Sequence, residues 1–128
     1  EELRWLDYGQ RLVRRQRNVA ADPARDEGST AARLFARALA GGGHAAGFER
    51  WGLVEGARAD LLVLDARAPG LLGAPDALRL DALIFATDAP AFTEVWVAGR
   101  RVLAGGRHPD GDAIASRFAD AMAALWPA

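Results

Sequence analysis

Acid–base or metal chemistry in this chain would have to start from two histidines, His44 and His108. Imidazole is the side chain whose ordinary pKa lies nearest neutral pH, and it is a common zinc ligand. The pattern around the two residues suits neither use. There is no His-x-His pair, and the absence of cysteine excludes thiolate nucleophiles, disulfides and Cys-ligated zinc. A zinc site of three or four ligands would need His44 and His108 to converge with carboxylates distant in sequence. Each histidine stands beside a glycine or a proline, as loop residues do. They read as surface-loop histidines, and no residue of the chain is assigned as catalytic, substrate-binding or metal-ligating.

Other candidates fare no better. Ser29-Thr30 has no His and Asp partners nearby in sequence, so a helix cap is the better reading. Gly41-Gly42-Gly43 lacks the lysine and the spacing of a phosphate-binding loop and reads as a helix stop. Trp5, Tyr8, Trp51 and Trp96 are a possible base-stacking set, but no basic groove accompanies them, which leaves packing. Arg100-Arg101 has the charge to meet a phosphate, yet a pair at a hairpin tip is usually solvated.

Composition bounds the rest. The 128 residues suffice for one domain with a hydrophobic core, but a (β/α)8 barrel needs about 250. Sixteen basic residues, all arginine, face seventeen acidic ones, for a formal net charge of -1. With the arginines scattered, nothing recruits nucleic acid or an anionic membrane. The longest apolar run, Leu61-Leu62-Val63-Leu64, is far below a membrane span. The chain opens on Glu1 and its one methionine is Met122. It is therefore read as beginning inside a longer reading frame, or after processing.

The elements follow from periodicity. Residues 1 to about 18 form an amphipathic helix, with Leu3, Trp5, Leu6, Tyr8, Leu12 and Val13 on a broad apolar face. Glu1 and Glu2 suit the positive end of its dipole and Arg14, Arg15 and Arg17 the negative end. Asn18 and Asp22-Pro23 stop it. A second helix over 31–40 is capped by Ser29 or Thr30, buries Leu34, Phe35, Ala38 and Leu39, and ends at the triple glycine. Beyond Leu53 the period becomes that of strands. Leu61–Leu64, apolar on both faces, predicts a buried strand, 66–76 a loop, and Leu83–Ala86 another strand. Val95–Ala98 and Arg101–Leu103 predict a hairpin turning at Gly99. Ile114, Phe118, Met122 and Leu125 mark a last helix, with Asp110 or Asp112 as its cap.

Three of these segments together resemble the amidohydrolase superfamily, in its aminohydrolase branch. Gly52-Leu53-Val54-Glu55-Gly56-Ala57-Arg58-Ala59-Asp60-Leu61-Leu62-Val63-Leu64-Asp65 looks like the return from the barrel into a small β-sandwich domain. Val95-Trp96-Val97-Ala98-Gly99-Arg100-Arg101-Val102-Leu103-Ala104-Gly105-Gly106-Arg107 is similar to that domain's closing hairpin. The helix from Ser29 to Leu39 stands in the place of the last barrel-associated helix. More narrowly, Glu1-Glu2-Leu3-Arg4-Trp5-Leu6-Asp7-Tyr8-Gly9-Gln10-Arg11-Leu12 resembles the helix after the last barrel strand in the formimidoylglutamate deiminase subfamily, with Asp7 where a glutamate is expected.

The resemblance implies an α/β fold class: a fragment of a (β/α)8-barrel hydrolase. Residues 1–47 would be C-terminal barrel helices, 48–107 C-terminal strands of the sandwich domain, and 108–128 a terminal helix. It implies one zinc ion in the full-length parent, held by a His-x-His pair, a further histidine and an aspartate, which lowers the pKa of a bound water and makes it the nucleophile. In the deiminase, attack on the formimino carbon of N-formimino-L-glutamate expels ammonia and leaves N-formyl-L-glutamate. None of those ligands can be placed on this chain, and the aspartate is expected just upstream of Glu1. Glu1, Glu2 and Arg4 would start near the barrel mouth, where they could shape a substrate pocket; dipole matching and a surface arginine are the plainer account. A small-molecule substrate, a homodimer and a cytoplasmic location are also implied for the parent, with no nucleic-acid or membrane partner. Two alternatives stand beside this: an aminohydrolase acting on guanine, an adenosine derivative or a chlorotriazine, and a non-catalytic β-rich module.

Overall fold

In a computed structural model, which describes residues 1–25, 28–88 and 91–126, the chain divides into two compact units. One comprises Glu1–Arg58 with Asp65–Ala91, the other Ala59–Leu64 with Phe92–Ala128. No helix among the described residues is long and apolar enough to cross a membrane.

The first unit is helical. Helix α1 (Glu2–Arg14) is shorter than the expected 1–18, because Arg15 enters the left-handed region at φ 53° and Asn18 does so again at φ 51°. Helix α2 (Thr30–Ala45) is capped as expected: Ser29 Oγ accepts from the backbone N–H of Ala32 at 3.0 Å. The triple glycine does not stop it, which corrects the expected end near residue 40. Gly43 lies inside the helix against Trp51, where a Cβ would stand 2.7 Å from the Trp51 Cβ. Glycine here serves close approach, and the actual stop is Gly47 at φ 72°, just past the last turn.

A second correction concerns Leu83–Ala86, expected as a strand. After the short helix α3 (Arg79–Asp81) the backbone continues as a π-helical stretch, Ala82–Ala86. A four-residue apolar run does not distinguish a strand from a buried helical segment by periodicity. Local hydrogen bonding decides it: Thr87 Oγ1 donates to the Ala82 carbonyl at 3.0 Å and Ile84 is buried. The core of this unit is Ala31, Leu34, Leu71, Ile84 and Ala91. Of the residues expected to be buried on α2, Leu34 is, whereas Phe35 remains 43% exposed. Leu71 anchors the 66–76 loop from beneath at 2% exposure.

The second unit is an antiparallel sheet in the order β1 (Leu61–Leu64), β2 (Phe92–Val97), β3 (Arg100–Ala104). Leu61 pairs with Trp96 and Val95 with Leu103, with a register irregularity in each pairing. The hairpin turns on Ala98 (φ 50°) and Gly99 (φ 76°), the left-handed pair of a type I′ turn. Asp60 Oδ1 accepts from the Ala98 backbone N–H at 2.6 Å. On one face Trp96 Nε1 donates to Glu94 Oε2 at 2.7 Å, and Arg101 reaches Glu94 Oε1 at 3.2 Å across the strands. The strand β1 exists as expected, but burial on both its faces does not: Leu62 and Val63 are exposed. Helix α4 (Gly111–Leu125) starts at Asp110, whose side chain makes no capping bond, and it buries no residue.

Candidate functional site

A cleft in the helical unit lies between α1, the start of α2 and the α3–π segment, with a volume of about 320 Å3. Each wall has a sequence cause. Arg11 follows Asp7 by four positions and Tyr8 by three, which brings its side chain beside both on α1. The N-terminal turn of α2 presents Ser29, whose Oγ–H donates to Asp81 Oδ2 at 2.6 Å. Asp81 Oδ1 accepts from the Ala31 backbone N–H at 3.3 Å. A carboxylate at the open N–H groups of a helix start is matched to the local dipole and shares the capping with Ser29. Phe85 of the π stretch faces Tyr8 in a stacked pair with ring centroids 6.2 Å apart.

Arg4 fixes how α1 meets that segment. Its Nε donates to the Ile84 carbonyl at 2.8 Å, Nη2 to the Thr87 carbonyl at 2.6 Å, and Nη1 pairs with Asp88 at 2.8 Å. A π-helical stretch leaves carbonyls outside the regular ladder, and the planar guanidinium supplies a donor for that of Ile84 and another for Thr87 just past the stretch. Arg4 is thus neither a free surface arginine nor a group aimed at a ligand.

The acceptor that is left over belongs to Asp7. Its side chain is 4% exposed, Arg11 Nη1 approaches Oδ2 only to 3.9 Å, and Oδ1 is buried with no hydrogen-bond partner among the described residues. Arg11 instead lies over the Tyr8 ring, 5.2 Å from its centroid. Sequence reading noticed Asp7 only as a substitution for glutamate and missed Asp81. One signal was present: a carboxylate between Leu6 and Tyr8, on a helix whose apolar residues surround it.

The remaining candidates scatter. His44 is exposed in the last turn of α2. His108 is exposed before α4, in the other unit, where its Nδ1 accepts from the Asp110 N–H at 3.1 Å. Among the described residues no group of three or more His, Cys, Asp or Glu could hold a metal ion. Glu1 Oε1 accepts from Trp5 Nε1 at 3.3 Å. The Glu2 carboxyl is held below its usual range, chiefly by a backbone N–H at the helix start. Trp51 stacks on Phe48 with centroids 4.9 Å apart, and Arg101 sits 5.9 Å above the Trp96 ring. Among the described residues the cleft contains no cysteine or histidine, and its serine is engaged as a cap. Its chemistry is that of holding a polar group in place.

No family model matches the chain. A curated relative, formimidoylglutamate deiminase of Pseudomonas aeruginosa, is 42% identical over 126 residues, which is 98% of this chain and 27% of the relative. The crystal structure of an amidohydrolase from Brucella melitensis superposes with a TM-score of 0.82 at 42% identity, covering 97% of this chain and 26% of that one. The chain therefore spans about a quarter of the length of the relatives it matches. The resemblance to formimidoylglutamate deiminase and to amidohydrolases holds along nearly its whole length.

Proposed function

We propose that this chain is the C-terminal quarter of a formimidoylglutamate deiminase of the amidohydrolase superfamily, an enzyme that converts N-formimino-L-glutamate and water to N-formyl-L-glutamate and ammonia. The observation that carries the reading is the 42% identity to the Pseudomonas aeruginosa deiminase, sustained over 126 residues rather than confined to one motif. In this reading α1, α2 and the α3–π segment are helices on the outside of the parent's barrel, and the three strands are part of its small sandwich domain. The parent is a cytoplasmic, zinc-dependent homodimer.

The described residues of this chain do not fit a zinc site: its two histidines lie in different units, each exposed, and no carboxylates gather round either. The ligands accordingly belong to the rest of the parent, and this chain is inactive by itself. Its contribution is scaffolding. Arg4 ties the first turn of α1 to the π stretch, and the Ser29–Asp81 bond ties the start of α2 to α3.

The test is ammonia release by the purified full-length protein, supplied with zinc, from N-formimino-L-glutamate. Turnover of that compound in preference to guanine, an adenosine derivative and a chlorotriazine is the expected outcome. Turnover of one of the ring substrates instead would keep the superfamily and replace the substrate.

A further inference from the structure

We infer that Asp7 is a socket for a basic side chain, an arginine or lysine, delivered by a segment of the same longer polypeptide that lies outside these 128 residues. The inference rests on the reading of the chain as part of a larger hydrolase. It starts from an unmet acceptor: a carboxylate oxygen that is buried and unpartnered, on a side chain only 4% exposed. Buried polar atoms in native proteins are nearly always hydrogen-bonded, and a buried carboxylate without a partner is among the costlier exceptions. The cation already present does not meet the need. Arg11 stands 3.9 Å from the other oxygen, at the outer limit of an ion pair, and is engaged with the Tyr8 ring.

Space and charge say what would. Asp7 borders the 320 Å3 cleft, so a side chain can enter beside it. Two carboxylates, Asp7 and Asp81, face one guanidinium there, and Asp81 already accepts two hydrogen bonds. The unbalanced negative charge is thus centred on Asp7, and a cation completes it where a neutral donor would leave the charge uncompensated. Away from the Asp7 side of the helix, Trp5, Leu6, Leu12 and Val13 on α1 are between 53% and 80% exposed, so α1 is not fully covered by these 128 residues. The matched relative has about three-quarters of its length outside the match, enough to supply such a segment.

A crystal structure of the full-length protein decides the point, joined to thermal melts of Asp7→Asn and of a variant lacking the located base. The expected result is an arginine or lysine nitrogen from outside this segment within about 3.2 Å of Asp7 Oδ1. Asp7→Asn and loss of that base should each lower Tm by roughly 5 °C or more, and the double variant no further than the larger single effect. An oxygen bonded only to water or Arg11, a base donated by a second copy, or an unchanged Tm in Asp7→Asn would overturn the inference. Assaying the same preparation separates the two readings. An active deiminase with Asp7 unpaired removes the socket alone, whereas a paired Asp7 in a protein inert toward N-formimino-L-glutamate removes the functional reading alone.

Discussion

Every side chain buried among the described residues belongs to the helical unit: Ala31, Leu34, Leu71, Ile84 and Ala91, with the polar Asp7 and Thr30. The sheet unit buries none. Its strands are held by a backbone ladder, a type I′ turn and the Trp96–Glu94–Arg101 cluster, while Leu62, Val63 and Val97 stay exposed and α4 shows Ile114, Phe118 and Leu125 to solvent. The two units therefore draw on different sources of order. Hydrogen-bonded register can form wherever turn chemistry and β-propensity agree, but a core requires a second layer. A sheet and a helix with uncovered apolar faces are what the proposed reading expects of part of a sandwich domain. Exposed edges and faces of this kind favour aggregation in the isolated chain.

The contrast can be broken most readily at paired leucines. Leu71→Ala in the helical unit should cost about 2–5 kcal/mol in denaturant unfolding, and Leu62→Ala in the sheet under about 1 kcal/mol. Equal losses would mean that the sheet has a core of its own. Next in size is the helix–loop contact inside the first unit. Gly43→Ala must displace Trp51 and should destabilise by about 1–3 kcal/mol, whereas Gly42→Ala, with nothing within 4 Å, should stabilise by up to about 1 kcal/mol. On α4, Phe118→Gln should change the stability of the isolated chain by less than about 0.5 kcal/mol while reducing its aggregation, measured by light scattering. A large loss of stability there would show the stripe packing within its own unit. The smallest effect belongs to Glu2. Its folded-state carboxyl is depressed, so its contribution is present above the ordinary carboxylate range and disappears as pH falls through the folded value. Glu2→Gln should melt slightly below the wild type at neutral pH and match it in acid.

Much of the local structure was legible in the sequence because its causes are local. Ser29 as a cap, the turn at Gly99 and the four-four-three stripe of α4 each depend on a few neighbouring residues. The misreadings arose where a tertiary neighbour decides. Gly43 is a helix residue because Trp51 needs the room, and Leu83–Ala86 packs as a π-helical stretch whose Ile84 carbonyl finds Arg4, 80 positions away in the sequence. The cleft was invisible for the same reason. Asp7 and Asp81 are 74 positions apart in the sequence, and only packing brings them to one wall. Family kinship was readable because it rests on ordered motifs rather than on any one contact.

At the centre of the account is a division of labour in which this segment supports and another segment holds the reactive metal. Zinc content of the purified 128-residue chain, measured by inductively coupled plasma mass spectrometry after dialysis, tests it most directly. The account predicts far less than one zinc per chain, unchanged when His44 and His108 are replaced by alanine. One tightly held zinc per chain, lost in that double variant, would contradict it.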